Sequence, residues 1–299
     1  VLINRRAALI SVGGAVALLG LSAGGVALVD AELLPGKSAL NDALGRCGAA
    51  GRPAALRGTP QPPVFGSFRS EARRREVGFA ISYPPGYAEG ADLPVCLALH
   101  GYGSDAKAAI GTGDYSQFVA GAVRDGAAPF VLAAADGGNG YWHPHANDDP
   151  LGMLVDEFLP LLASRGLRTD RVAVAGWSMG GYGALLCGLT YRDRFRMIVA
   201  SSPAIFHSYA DARKVNAGAY DSPKDWARCD VAARAEEFAG LPVRIVIGAA
   251  DPFTPAVRKL RDRLPDRNVV QIATGCHDNR FWAYAAPAQI QAISSALAA

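Results

Sequence analysis

"RVAVAGWSMGGYGALLCGL", Arg171 to Leu189, decides how this chain reads. Small apolar residues run into a serine caged between glycines, and an apolar run then resumes at helical spacing. A buried strand has no use for that hydroxyl, and a surface loop has no need of so many glycines around it. Gly176-Trp177-Ser178-Met179-Gly180 matches G-x-S-x-G at a strand-to-helix junction, the context the motif requires. There the serine occupies a strained turn and projects its hydroxyl above the sheet edge. The glycines let two backbones pass too close to admit a Cβ. Ser178 also heads a helix, whose free N–H groups and dipole favour developing negative charge.

A serine hydroxyl is a weak nucleophile at neutral pH, so it needs a base, and the base needs an orienting acid. The chain has five histidines, His100, His143, His145, His207 and His277. After an elbow of this kind the order is serine, acid, histidine, which leaves His207 and His277 downstream. His277 follows the last candidate strand in "TGCHDNRFW", whereas His207 precedes any acid-bearing strand. The expected base is therefore His277. "VRIVIGAADPF" places Asp251 just beyond a buried strand, in a turn fixed by Pro252. Asp278 is a rival, but a residue adjacent to the histidine cannot readily fold back onto its imidazole. The early "LALHGYGS" follows another central strand, from which the backbone amide of Tyr102 can join that of Met179 in an oxyanion hole. His100 in the same stretch reads as structural.

Working outward, short apolar runs alternate with helical patterns. Candidate strands begin at Glu76, Pro94, Pro129, Arg171, Arg196, Val243 and Asn268, and the central ones are continuously apolar, as in strands covered on both faces. "DYSQFVAGAVRDG", "PLGMLVDEFLPLLASRG", "GGYGALLCGLTYR" and "TPAVRKLRDRL" carry helical spacing. The expectation is an α/β fold, with a mainly parallel central sheet and helices on both faces. Residues 205–240 exceed a simple crossover and read as a short helical excursion over the active site.

The N-terminus differs. Arg5 and Arg6 precede an uncharged, Gly/Ala-rich segment that runs to Val29, the pattern of a twin-arginine export signal. Its length also suits a membrane span. The expected organisation is an export signal or membrane anchor over 1–31, a linker or N-terminal arm over 32–75, and the catalytic domain over 76–299. That places the protein in the cell envelope or outside the cell, secreted or membrane-anchored.

Over 299 residues, 50% hydrophobic and 19% charged, a sizeable core is easily supplied. The net charge of +3, with no Lys/Arg run interleaved with aromatics, argues against nucleic acid as a partner. "RSEARRRE" (69–76) reads as a solvated turn, and "WHPHAND" (142–148) as an ordinary loop. Of five cysteines, Cys96 and Cys187 lie in apolar runs and read as inert core thiols. One disulfide among Cys47, Cys229 and Cys276 suits an oxidising compartment, but spacing does not choose the pair. No Cys/His spacing resembles a zinc site, and the expected chemistry calls for no metal or cofactor.

"LHGYGS", "ADGGNGYWH", "FLPLL", "GWSMGGYGAL", "GAADPF" and "GCHDNRFW" together resemble the α/β-hydrolase superfamily. The branch resembled is the esterase-D-like esterases, related to the antigen 85 mycolyltransferases and to feruloyl esterases. The resemblance spans residues from about Glu76 to the C-terminus. It implies a triad of Ser178, Asp251 and His277, an oxyanion hole at Tyr102 and Met179, and a small-molecule or lipid ester as substrate. The mycolyltransferases carry a glutamate where Asp251 stands, which weakens transfer of their acceptor chemistry. The expected activity is hydrolysis of carboxylic esters through an acyl-enzyme. The alternatives are acyl transfer to an envelope sugar or lipid, and a non-catalytic envelope-binding protein on the same fold.

Overall fold

The computed structural model describes residues 37–48 and 58–299, with side chains from residue 40 onward in the first stretch. The segment read as an export signal or anchor, 1–31, lies outside the described residues. Among those described, no helix is long and apolar enough to cross a membrane.

Eight strands form one sheet: β1 (Val64–Ser70), β2 (Arg75–Ser82), β3 (Pro94–Leu99), β4 (Val131–Ala135), β5 (Arg168–Trp177), β6 (Phe195–Ser201), β7 (Val243–Gly248) and β8 (Val270–Ala273). Their order is β1-β2-β4-β3-β5-β6-β7-β8. β1 and β2 pair antiparallel, as do β2 and β4, and every other pair is parallel. Helices α1 (Lys37–Ala43), α2 (Ala106–Ala109), α3 (Tyr115–Arg124), α4 (Pro150–Gly152), α5 (Leu159–Ser164), α6 (Met179–Thr190), α7 (Tyr209–Val215), α8 (Pro223–Cys229), α9 (Thr254–Arg263) and α10 (Asn279–Ala298) surround it. A π-helical turn, Met153–Phe158, joins α4 to α5.

The uninterrupted apolar strands follow from burial on both faces. In β3, Val95, Leu97 and Leu99 point into one core, with Leu154, Phe158 and Leu185, while Cys96 and Ala98 point into the other, with Val119, Phe130 and Ile290. β5 repeats the division, with Val172 and Val174 on the first face and Ala173, Ala175 and Trp177 on the second. This is the period-two alternation of a strand with no solvated side. Cys96 and Cys187 are fully buried, and burial pushes both thiols up.

Two expectations need correction, and one helix is added to those read above. The stretch read as a linker or arm contains β1, which pairs with β2 along its whole length; its prolines stop short of the strand, and as an edge it keeps mostly exposed residues. "RSEARRRE" is not simply a solvated turn. Arg73 is 3% exposed and grips Asp148 with two bonds, Nε–Oδ1 at 2.6 Å and Nη2–Oδ2 at 2.8 Å, while its Nη1 donates to the Asp136 carbonyl. The partner lies in "WHPHANDD", 75 residues on, so that loop is locked to the β1–β2 turn. The C-terminal helix α10, absent from the helical segments read above, packs on α3, β5 and β6.

The excursion over 205–240 contains α7, α8 and a 3₁₀ turn, Ala235–Phe238. The disulfide joins Cys47 to Cys276 and leaves Cys229 a buried thiol, pushed up to about 11 mainly by burial.

Candidate active site

Ser178 closes β5 and caps α6 with φ 56° and ψ −119°. A non-glycine residue there stores on the order of 1–3 kcal/mol of backbone strain. The surroundings enforce the conformation. A Cβ added at Gly176 would sit 2.1 Å from the Gly180 carbonyl oxygen, and one at Gly180 would sit 1.9 Å from that of Leu99. Ser178 N–H donates to Ser201 O at 3.0 Å, and its own carbonyl accepts from Tyr182 and Ala204. The hydroxyl is thus fixed on the end of the most buried part of the sheet.

The loops after β7 and β8 bring the other two residues to it. His277 Nε2 lies 2.9 Å from Ser178 Oγ, and His277 Nδ1 lies 2.8 Å from Asp251 Oδ2. The Asp251 side chain is fully buried, that of His277 is 16% exposed, and Asp251 Oδ1 accepts from Phe253 N–H at 2.9 Å. With the carboxylate accepting the Nδ1 proton, Nε2 presents its lone pair to the serine hydroxyl. Asp278 instead caps α10, accepting from Phe281 N–H at 2.8 Å, and His207 is exposed in the excursion.

Tyr102 follows β3 in the loop beside the elbow, where a Cβ on Gly101 would stand 3.6 Å from Ser178 Cβ. Gly103 N–H donates to Asn139 Oδ1 at 2.8 Å, and Ser104 N–H to Gly101 O. The amides of Tyr102 and Met179 have no acceptor among the described residues. His100 is buried, and its Nε2 accepts the Gly137 N–H at 2.8 Å, so its proton sits on Nδ1 and is donated to Gly101 O. Burial holds it below the usual histidine range. It is a neutral brace for this loop.

Aromatic rings flank the histidine. Phe253 and Trp282 each lie 5.4 Å from the His277 ring, Phe206 packs on Phe253 and Tyr141 on Phe206. Trp282 Nε1–H donates to Ser202 Oγ. Phe253 and Trp282 stand in the quoted motifs "GAADPF" and "GCHDNRFW", but nothing in a linear sequence says that they meet. A cavity of about 620 Å³ lies elsewhere, lined by Val243, Gln271, Tyr284 and Gln289, and includes none of these residues.

Among the described residues, one group can hold a metal ion, His143, His145 and Asp225. Both imidazoles donate Nε2–H to backbone carbonyls, His143 to Ala219 at 2.6 Å and His145 to Gly140 at 2.7 Å. The Nδ1 atoms face carboxylates, Asp225 at 3.6 Å and Asp221 at 2.7 Å. "WHPHAND" is therefore a loop tied to the excursion by its histidines, which the linear reading as an ordinary loop did not anticipate.

A mainly parallel eight-stranded sheet, an elbow serine with φ above zero, and an acid and a histidine just beyond β7 and β8 define the α/β-hydrolase fold. The model of the esterase family, described as "Putative esterase", matches residues 70–285. The chain belongs to that family. It is 33% identical over 118 residues to an S-formylglutathione hydrolase of Paracoccus denitrificans. The match covers 38% of this chain and 41% of that relative, so it spans less than half of the curated protein. Similar solved structures include a ferulic acid esterase, with TM-score 0.69, 16% identity, and coverage of 79% of this chain and 98% of the other. Another is an S-formylglutathione hydrolase from Agrobacterium tumefaciens, with TM-score 0.66, 18% identity, and coverage of 83% and 98%. These two likenesses bear on the fold.

Proposed function

We propose that this protein is a serine hydrolase of carboxylic esters. The observation that carries the reading is the unbroken chain Ser178 Oγ, His277 Nε2, His277 Nδ1, Asp251 Oδ2, each link under 3 Å. Ser178 Oγ attacks the ester carbonyl carbon while His277 Nε2 takes its proton. The negative oxygen of the tetrahedral intermediate is met by the N–H groups of Met179 and Tyr102 and by the positive end of α6. His277 returns the proton to the departing alkoxide, leaving an acyl group on Ser178. Water then attacks, with His277 as base again, and frees the acid. Asp251 holds the tautomer and stabilises the imidazolium. The partly exposed rings of Phe253 and Trp282, beside His277, favour an ester with an apolar part on the histidine side.

Membership of the esterase family and the names of the relatives favour hydrolysis over acyl transfer and over a non-catalytic role. The decisive experiment incubates purified protein with a graded set of nitrophenyl esters, with and without an alcohol acceptor, and labels it with a fluorophosphonate. Free acid as the main product and labelling that depends on Ser178 are expected. Ester product dominating in the presence of acceptor sinks hydrolysis, and absent labelling sinks the covalent mechanism. Export remains part of the proposal. The arginine-led segment before Val29 and the buried Cys47–Cys276 disulfide both suit an oxidising compartment. Fractionation of cells making the full chain, where a reduced cytoplasmic pool is the contrary result, tests it.

A further inference from the structure

The arm reaches the back of the site at two points. Buried Asn41 donates Nδ2–H to the Ala250 carbonyl at 2.8 Å. Its Oδ1 accepts from Arg46 Nη1 at 3.3 Å, which sets the orientation of the amide. Six residues on, Cys47 is covalently joined to Cys276, and both residues are buried. Ala250 and Cys276 are the residues immediately before Asp251 and His277. The two loops are also joined to each other, Ala250 N–H to Gly275 O at 3.0 Å and Ala249 N–H to Ala273 O at 2.7 Å. The exposed Asp42–Arg280 pair, at 3.5 Å, adds little.

The need for such a hold follows from topology. Ser178 leaves β5, which has neighbours on both sides, whereas His277 leaves β8, a four-residue strand paired on one side only. The elbow is braced by the interior of the sheet, and the histidine loop departs from its least braced edge. We infer that Asn41 and the Cys47–Cys276 disulfide are positioning residues for the Asp251–His277 pair, with the arm clamping both loops one residue upstream of the groups that must meet. This rests on the reading of His277 as base and Asp251 as its acid. Neither Asn41 nor the sulfurs touch the reacting atoms. Their effect is on how much of the time the 2.8 Å hydrogen bond is made.

The test compares wild type with Asn41→Ala, which keeps the disulfide, and with Cys47→Ser/Cys276→Ser. Each is assayed on a nitrophenyl ester well below its own melting midpoint. The downfield proton resonance of the His277 Nδ1–H is recorded for each. A 1 Å misplacement of a reacting group can cost about a hundredfold in rate. The expected result is a kcat lower by about tenfold in the serine pair and by less in Asn41→Ala. KM should stay within about twofold, and the downfield resonance should weaken in the same order. Folded variants with wild-type kcat and an unaltered resonance overturn the proposal, as does a loss that merely tracks the folded fraction. If wild type cleaves no ester, the failure belongs to the hydrolase reading, and the resonance still decides whether the arm holds the pair.

Discussion

His277 turns Nδ1 to Asp251 at 2.8 Å, and His145 turns Nδ1 to Asp221 at 2.7 Å. Up to that bond the two pairs match, and they part at the second nitrogen. His277 Nε2 meets the Ser178 hydroxyl at 2.9 Å, a group able to give it a proton. His145 Nε2 meets the Gly140 carbonyl at 2.7 Å, which can only accept. Two acceptors together favour the doubly protonated imidazole of His145. Burial is the largest single influence on His145 and depresses it, but the bonds to Asp221 and Gly140 and the charges of Asp221 and Asp225 raise it net. The carboxylate does not make a base. The partner of the far nitrogen separates the proposed proton shuttle from a structural staple.

Removing either end of the proposed shuttle should give the largest effect. Ser178→Ala and His277→Gln are each expected to lower kcat by on the order of 10⁶-fold, as for hydrolytic triads in general, with the thermal midpoint nearly unchanged. Residual turnover within tenfold of wild type in either variant breaks the comparison. Asp251→Asn should cost about 10⁴-fold, because an amide stabilises the wrong imidazole tautomer; near-normal activity would hand the role to another acid.

On the staple side the measurements are of stability. Arg73→Met leaves Asp148 without its buried partner, although Arg75 still reaches it at 3.0 Å. Denaturant unfolding should show a loss of about 3 kcal/mol, and a loss under 1 kcal/mol would mean that the loop bearing His145 is held mainly from the excursion. The smallest effect concerns the staple itself. Asp221→Asn should lower stability by less than about 1 kcal/mol, since the Asp221 side chain is half exposed. The contribution has a defined pH window. His145 is raised in the folded state, so its share is full below its unfolded range and is lost as pH climbs through the raised folded value. Asp221 is lowered, chiefly by the His145 hydrogen bond, so its share is present above the unfolded carboxylate range and is lost as pH falls through the depressed value. A wild-type minus Asp221→Asn stability difference that does not vary with pH would contradict this account.

The half of the site proposed to react was legible in the sequence because its constraints are local. Gly176 and Gly180 flank Ser178 within five residues, and Asp251 and His277 each follow an apolar strand by a few positions. The supporting half was not. Arg73 sits among charged neighbours that announce solvent, and its partner Asp148 is distant in the chain. Cys47, Cys229 and Cys276 are equally plausible in pairs until the chain is folded. β1 hides behind "TPQPPVFGS" and exposes most of its residues, so the alternation that betrays a half-buried strand is faint. The rim of Phe206, Phe253 and Trp282 assembles from three separate loops and helices, a coincidence in space with no signature in order.

The bond between residues 47 and 276 has a separation of 229 residues, which makes the greater part of this polypeptide a covalent ring. Closing a ring of that size removes chain entropy from the unfolded ensemble, on the order of 5 kcal/mol in the simple chain model. A protease that cuts once inside the ring, for instance in the excursion, leaves two pieces that still migrate as one until a thiol is added. An enzyme built this way keeps its serine and its histidine on a single covalent body after its first wound.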